Sequence, residues 1–180
     1  MKTILLSACL IALTAATFGC RAPRQAAERE TRVFELRTYY AAPGKLDALN
    51  ARFRDHTCKL FKKHGMANIG YWMPLENTNN ALIYLLAYPN REAARQAWKD
   101  FGGDPAWKEV VKKTEANGRL VTKAESVYLA PTDFSPLVTP TKTDPARVFE
   151  LRTYKATPGK LGDLLDVFAT TRWRCSPSTA

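Results

Sequence analysis

Apolar and polar positions change rhythm several times along the chain, and each change predicts an element. Arg32 to Ala41 is dense in Val, Phe, Thr and Tyr and stops at Pro43-Gly44, which predicts a strand ended by a turn. From Lys45 to about His64, Leu46, Leu49, Phe53, Leu60 and Phe61 recur at spacings of three, four and seven, which predicts a helix stopped by Gly65. Met66 to Met73 and Ala81 to Tyr88 predict two further strands, joined by a polar loop around Glu76 to Asn80. After the capping Pro89-Asn90, Arg91 to Phe101 reads as helix and Gly102-Gly103 as an interruption. Asp104 to Asn117 then continues it, with Asp104 as cap and Pro105 at the first helical position. Thr122 to Ala130 is the fourth predicted strand. The order is strand, helix, strand, strand, helix, strand, the split arrangement of α+β ferredoxin-like domains.

Side-chain parity refines this picture. Both helices of such a domain cover one sheet face, yet the third strand, "ALIYLLAY", is apolar at both parities, so both faces of it are expected to be buried. The expected cover is the sheet of a second domain, in the same chain or in a partner. Glu35 and Arg37 share one parity of the first strand, and Phe34, Leu36 and Thr38 the other. The charged pair is therefore expected to point away from its own core and to bind across an interface. Tyr71 and Trp72 are neighbours on a strand, so one enters the helix-covered core and the other looks toward the cover or a ligand.

An internal repeat organises the rest. "RVFELRTYYAAPGKL" at Arg32 to Leu46 returns as "RVFELRTYKATPGKL" at Arg147 to Leu161, identical at thirteen of fifteen positions. One complete domain over residues 32–130 is thus expected, then a Pro/Thr-rich linker over 131–146 and the start of a second domain over 147–166. After Asp166 the resemblance between the copies stops at "VFATTRWRCSPSTA". Codons chosen to encode that tail and read two nucleotides out of phase can spell "LRDHTVALFSKHG", which aligns with "FRDHTCKLFKKHG" at Phe53 to Gly65. Residues 167–180 are therefore expected to reflect a reading-frame change in a two-domain parent.

The first twenty residues stand apart. Met1 and Lys2 precede an almost uninterrupted apolar run from Ile4 to Ala16, closed by Gly19-Cys20. That is the layout of a bacterial secretory signal, with Cys20 placed for lipoprotein cleavage and acylation. Residues 21–31 form a polar tether, and the expected location is the cell envelope, anchored at a membrane surface. Of four cysteines, only Cys58 and Cys175 lie beyond the signal, so no disulfide framework is expected, and Cys58 reads as a small half-buried helix residue. The 46% hydrophobic content suffices for a packed core in 180 residues. The net charge of +10 is scattered in short pairs such as Lys62-Lys63 and Lys112-Lys113, a pattern that argues against nucleic acid as a partner.

The runs "FELRTYYAAPGKLDAL", "RFRDHTCKLFKKHGM", "IGYWMPLE", "LIYLLAYPNREAARQAWKDF" and "DPAWKEV" together resemble the NIPSNAP family, over Val33 to about Leu129 and again over Val148 to Leu165. The resemblance implies a βαββαβ module of the dimeric α/β-barrel type, working as a homodimer or as an intrachain pseudo-dimer in a full-length form. It implies no particular reaction. Two functional readings stand: an envelope-anchored binding or assembly module pairing through its sheet face, and a small cofactor-independent oxygenase or isomerase acting on an aromatic or quinone-like substrate. For the second, His56 is the candidate base, since it falls near the apolar stripe of its helix, where a core or interface histidine is the competing reading. His64 is explained by the helix end. Glu35, Arg37, Tyr39, Tyr71 and Trp72 are the ligand or interface candidates, and Trp98, Phe101 and Trp107 read as core. No metal constellation, nucleophile motif or dinucleotide fingerprint is visible, so neither a metal nor a cofactor is expected.

Overall fold

The computed structural model describes residues 32–136 and 147–170. Cys20, the tether, most of the linker and residues 171–180 lie outside the described residues. In chain order the elements are β1 (Val33–Ala41), α1 (Leu46–Arg52), a π-helical turn (Phe53–Thr57), α2 (Cys58–Lys63), β2 (Ala67–Trp72), β3 (Ala81–Tyr88), α3 (Arg91–Gly103), α4 (Pro105–Thr114), β4 (Val121–Leu129) and α5 (Leu161–Thr170). The four strands form one antiparallel sheet in the order β2-β3-β1-β4. This is the ferredoxin-like arrangement that the element order predicts.

The first helix is not uniform. Leu49, Phe53, Thr57 and Phe61 are all buried, at a constant spacing of four. In a regular α-helix that spacing drifts by roughly 40° per step. The wider π turn takes up the drift and keeps the four side chains over the sheet. Within it the Cys58 amide donates to the Phe53 carbonyl, and Thr57 Oγ1 donates to the Arg52 carbonyl at 3.2 Å.

Helix ends follow the local chemistry of their residues. Met66 N–H donates to the Phe61 carbonyl at 2.9 Å and Gly65 N–H to that of Lys62 at 3.2 Å. With Gly65 at φ 76° and Phe61 and Met66 both buried, this is a Schellman motif closed by its apolar contact. The Asn90 side chain caps α3 through Ala93 N–H, and Asp104 caps α4 through Ala106 N–H. The break between these helices falls at Asp104 rather than at Gly102-Gly103, which stay helical. Pro105 forces the residue before it out of the helical region, and Asp104 has ψ 122°.

The register fixes which side chains meet the helices. Glu35 lies opposite Leu86 and Tyr128, Arg37 opposite Tyr84 and Ser126, and Tyr39 opposite Leu82 and Ala124. This parity faces the helices: Glu35 hydrogen-bonds Trp98 on α3, and Tyr39 packs against Phe53. The expectation that Glu35 and Arg37 point away from the domain core is therefore corrected. Parity separates two sets of residues without saying which set the helices cover, and here buried polar partners admit the charged set.

The repeated segment behaves differently from β1. Residues 147–160 form no strand, and Val148, Phe149, Leu151 and Tyr154 are exposed. The repeated helix does form as α5 and runs to Thr170, through the first residues after Asp166.

Candidate functional site

Three features lie on or against the sheet. The first is a polar cluster under α3, centred on Glu35, which is 1% exposed. Its Oε1 accepts from Arg37 Nη1 and Ser126 Oγ, both at 2.6 Å. Its Oε2 accepts from Tyr88 OH and Trp98 Nε1, both at 2.7 Å. Arg37 also lies over the Trp98 ring, 4.2 Å from its centroid. Burial pushes the Glu35 carboxyl up, but the bonds from Ser126, Trp98 and Tyr88 and the charge of Arg37 outweigh it and leave the pKa below the ordinary value. With all these acceptor positions occupied, the cluster is a lock between β1, β3, β4 and α3. It holds no free base.

The second feature is a cavity of about 180 Å³ between the helices and the β1–β4 side of the sheet. Phe53, Phe61, Phe101 and Trp107 supply most of its wall, with Arg52, Thr57 and Glu115 among its polar residues. Arg52 is 4% exposed, and its Nη1 donates to Glu115 Oε1 at 2.8 Å. Arg52 Nε is buried and has no hydrogen-bond partner. Of the residues singled out in the sequence, Tyr39 borders the cavity, whereas Glu35, Arg37, His56, Tyr71 and Trp72 do not. The spacing-of-four signal at Leu49, Phe53, Thr57 and Phe61 was available in the sequence and points to the π turn that lines the cavity. Arg52 and Glu115 carry no comparable signal, because each looks like an ordinary surface charge on a helix.

The third feature is the open face. Phe34 and Leu36 of β1, Ile83 and Leu85 of β3, and Val127 and Leu129 of β4 share it by register. Val127 is 56% exposed and Leu129 is 42% exposed. Trp72 stands on the same face of β2, opposite Ile83. A Cβ at Gly70 would come within 2.3 Å of the Trp72 ring, so the indole lies across the glycine. The ring of Phe149, the repeat's counterpart of Phe34, sits 5.6 Å from Trp72. Gly70→Ala is expected to push the indole off the strand with little loss of fold stability, because the atom that must yield ends a movable side chain. Indole emission would shift while the urea midpoint changes little; an unchanged emission spectrum would contradict this placement.

The remaining candidates separate clearly. Tyr71 enters the helix side, stacks on Tyr84 at 5.5 Å and donates to Asn68 Oδ1. His56 is exposed on the π turn, and the buried position beside it belongs to Thr57. The expectation that His56 lies near the apolar stripe is corrected, because a stripe spaced by four passes through Thr57. His64 and Lys63 both contact Asp104 Oδ2 at 2.7 Å. Bonds from Lys63, His64 and the Ala106 amide hold the Asp104 carboxyl well below its usual range and tie the end of α2 to the α3–α4 junction. Cys58 is a half-buried free thiol, and burial pushes its pKa up, which disfavours the reactive thiolate. Among the described residues, no group of three His, Cys, Asp or Glu side chains is placed to hold a metal ion.

The strand order, the helices on one face and the open apolar face define a ferredoxin-like α+β module. A family model described as NIPSNAP matches residues 34–136, more than half of the chain, and this protein belongs to the NIPSNAP family. Among solved structures, an uncharacterized NIPSNAP-like domain protein from Burkholderia xenovorans is 21% identical with a TM-score of 0.54, over 64% of this chain and 97% of that one. A NIPSNAP family protein of unknown function from Agrobacterium tumefaciens is 23% identical with a TM-score of 0.53, over 60% of this chain and 95% of that one. A second A. tumefaciens NIPSNAP family protein is 20% identical with a TM-score of 0.52, over 59% of this chain and 90% of that one. At these identities the likeness shows the fold alone. No curated protein matches the chain.

Proposed function

We propose that this chain is a NIPSNAP-family binding module, held at an envelope membrane surface through Cys20, that acts by pairing its open sheet face with that of a second copy of the module. The observation that carries the reading is the contact between Trp72 and Phe149. A residue from the repeated copy already rests on the face that needs covering, and it matches Phe34, which belongs to that face. A contiguous apolar face of this kind on a soluble module marks an interaction surface. The oxygenase or isomerase reading loses its support with His56, which is exposed and does not border the cavity beside the π turn.

Native mass spectrometry of residues 21–180 tests the pairing. Two copies per particle is the expected result, and a chain that stays monomeric and soluble at micromolar concentration would sink the proposal. The anchor is tested separately in bacteria expressing the whole gene. Cys20→Ala is expected to move the protein from the membrane fraction to the soluble envelope fraction; equal partitioning of the two forms would remove the lipid from the reading.

A further inference from the structure

We propose that the cavity beside the π turn binds a small uncharged aromatic molecule carrying one hydrogen-bond acceptor, of the aryl ketone or aldehyde kind, with Arg52 Nε as the donor. Size comes first. The cavity holds about 180 Å³, somewhat more than the roughly 150 Å³ that accommodates benzene in an engineered protein interior. One aromatic ring with a short substituent fits, and a fused-ring system does not.

The wall then selects the chemistry. Phe53, Phe61, Phe101 and Trp107 offer ring edges and faces, and the Phe101 and Trp107 centroids are 4.5 Å apart. A guest ring can join this cluster at the usual stacking and edge-to-face distances. Most polar groups of the wall are already engaged. Thr57 Oγ1 donates to the Arg52 carbonyl, the Tyr39 hydroxyl accepts from Arg37 Nη2 at 3.4 Å, and Glu115 Oε1 accepts from Arg52 Nη1. Arg52 Nε remains, on a side chain that is nine-tenths buried and lines the cavity. A buried donor left unpaired costs about 1–3 kcal/mol, which an incoming acceptor restores.

Charge completes the selection. The Arg52–Glu115 pair is neutral in sum, so a carboxylate guest would bring an uncompensated negative charge beside Glu115 in a poorly hydrated space. A guest without an acceptor would fill the space but leave Nε unpaired. The π turn belongs to the same design, because it sets Phe53 and Thr57 on the wall while leaving room beside them. The site lies on the helix side of the sheet, so it stands or falls independently of pairing through the open face.

The test titrates the full chain, without its signal, with acetophenone, ethylbenzene and benzoate, following heat of binding and thermal midpoint. Acetophenone is expected to bind and raise the midpoint, ethylbenzene to bind about tenfold more weakly or worse, matching loss of one hydrogen bond to a charged group, and benzoate not to bind. Ala124→Leu places a larger side chain at the wall formed by β4 and is expected to abolish acetophenone binding with the fold intact. Arg52→Met is expected to make acetophenone and ethylbenzene bind alike; should that variant fail to fold, Ala124→Leu still decides. Absence of acetophenone binding, equal affinity for ethylbenzene, or binding that survives Ala124→Leu overturns the proposal, the first leaving a cavity filled by water alone.

Discussion

Glu35→Ala is expected to lower the stability of the module by about 3–5 kcal/mol in a urea titration, the range for removing one partner of a buried ion pair. The carboxylate accepts four hydrogen bonds from three strands and a helix. Its removal leaves Arg37 as a mostly buried cation without its counter-ion and strips Tyr88 and Trp98 of their acceptor. Glu35→Gln keeps the shape and an acceptor oxygen, so it should cost less than alanine while still losing the charge pair. A loss below about 1 kcal/mol for alanine, no more than an ordinary hydrogen bond, would mean that the cluster is not a lock. The pH dependence has a definite sign. Because the folded-state pKa is depressed, the contribution of Glu35 is fully present above its unfolded value near pH 4.3 and is lost as the pH falls through the lower folded value. The stability gap between the parent and Glu35→Gln should therefore close on acidification through that window and stay constant above it.

The second large effect is expected on the other face. Val127→Lys combined with Leu129→Lys should abolish self-association and leave the module folded. Both side chains are exposed on the edge strand β4, so the monomer should change by no more than about 0.5 kcal/mol for each substitution. Two ammonium groups buried without partners at the centre of a paired face are a different matter. Truncation of a single hot-spot residue costs about 2 kcal/mol or more, roughly thirtyfold in affinity, and a buried unpaired charge costs more than truncation. Sedimentation equilibrium of the parent and the double variant, with far-ultraviolet circular dichroism as the control, gives the answer. An unchanged dimer would place the interface elsewhere on the module.

The elements were legible in the sequence wherever local chemistry decides them. Asn90 and Asp104 announce helix starts because their side chains satisfy free backbone amides, and Gly65 announces a stop because the chain there needs a positive φ. The strand order came from the succession of elements. The orientation of Glu35 and Arg37 was not legible, since it depends on acceptors and donors as distant as Ser126, ninety-one residues away. His56 misled for a related reason: the 3.6-residue period places it near the stripe, whereas the π turn transfers the buried position to Thr57. Arg52 illustrates the other gap. Nothing local distinguishes a surface arginine from one sealed against Trp107 and Glu115, and only the packing of α1 against α4 makes it part of a wall.

The near-identical stretches at Arg32 and Arg147 carry one more consequence. The second copy repeats even the side-chain triplet of the first: Arg152 pairs with Glu150 and approaches Tyr154, as Arg37 does with Glu35 and Tyr39. With so little to tell the strands apart, the choice of which one sits between β3 and β4 is a contest settled by the helical segment downstream of each. Leu164 and Phe168 occupy the places of Leu49 and Phe53, but Ser176 stands where the first copy has Phe61. Burying that phenylalanine alone is worth about 1.5–3 kcal/mol. The central strand of this sheet is thus elected by a helix, and a phenylalanine more than twenty residues downstream of that strand's middle casts the deciding vote.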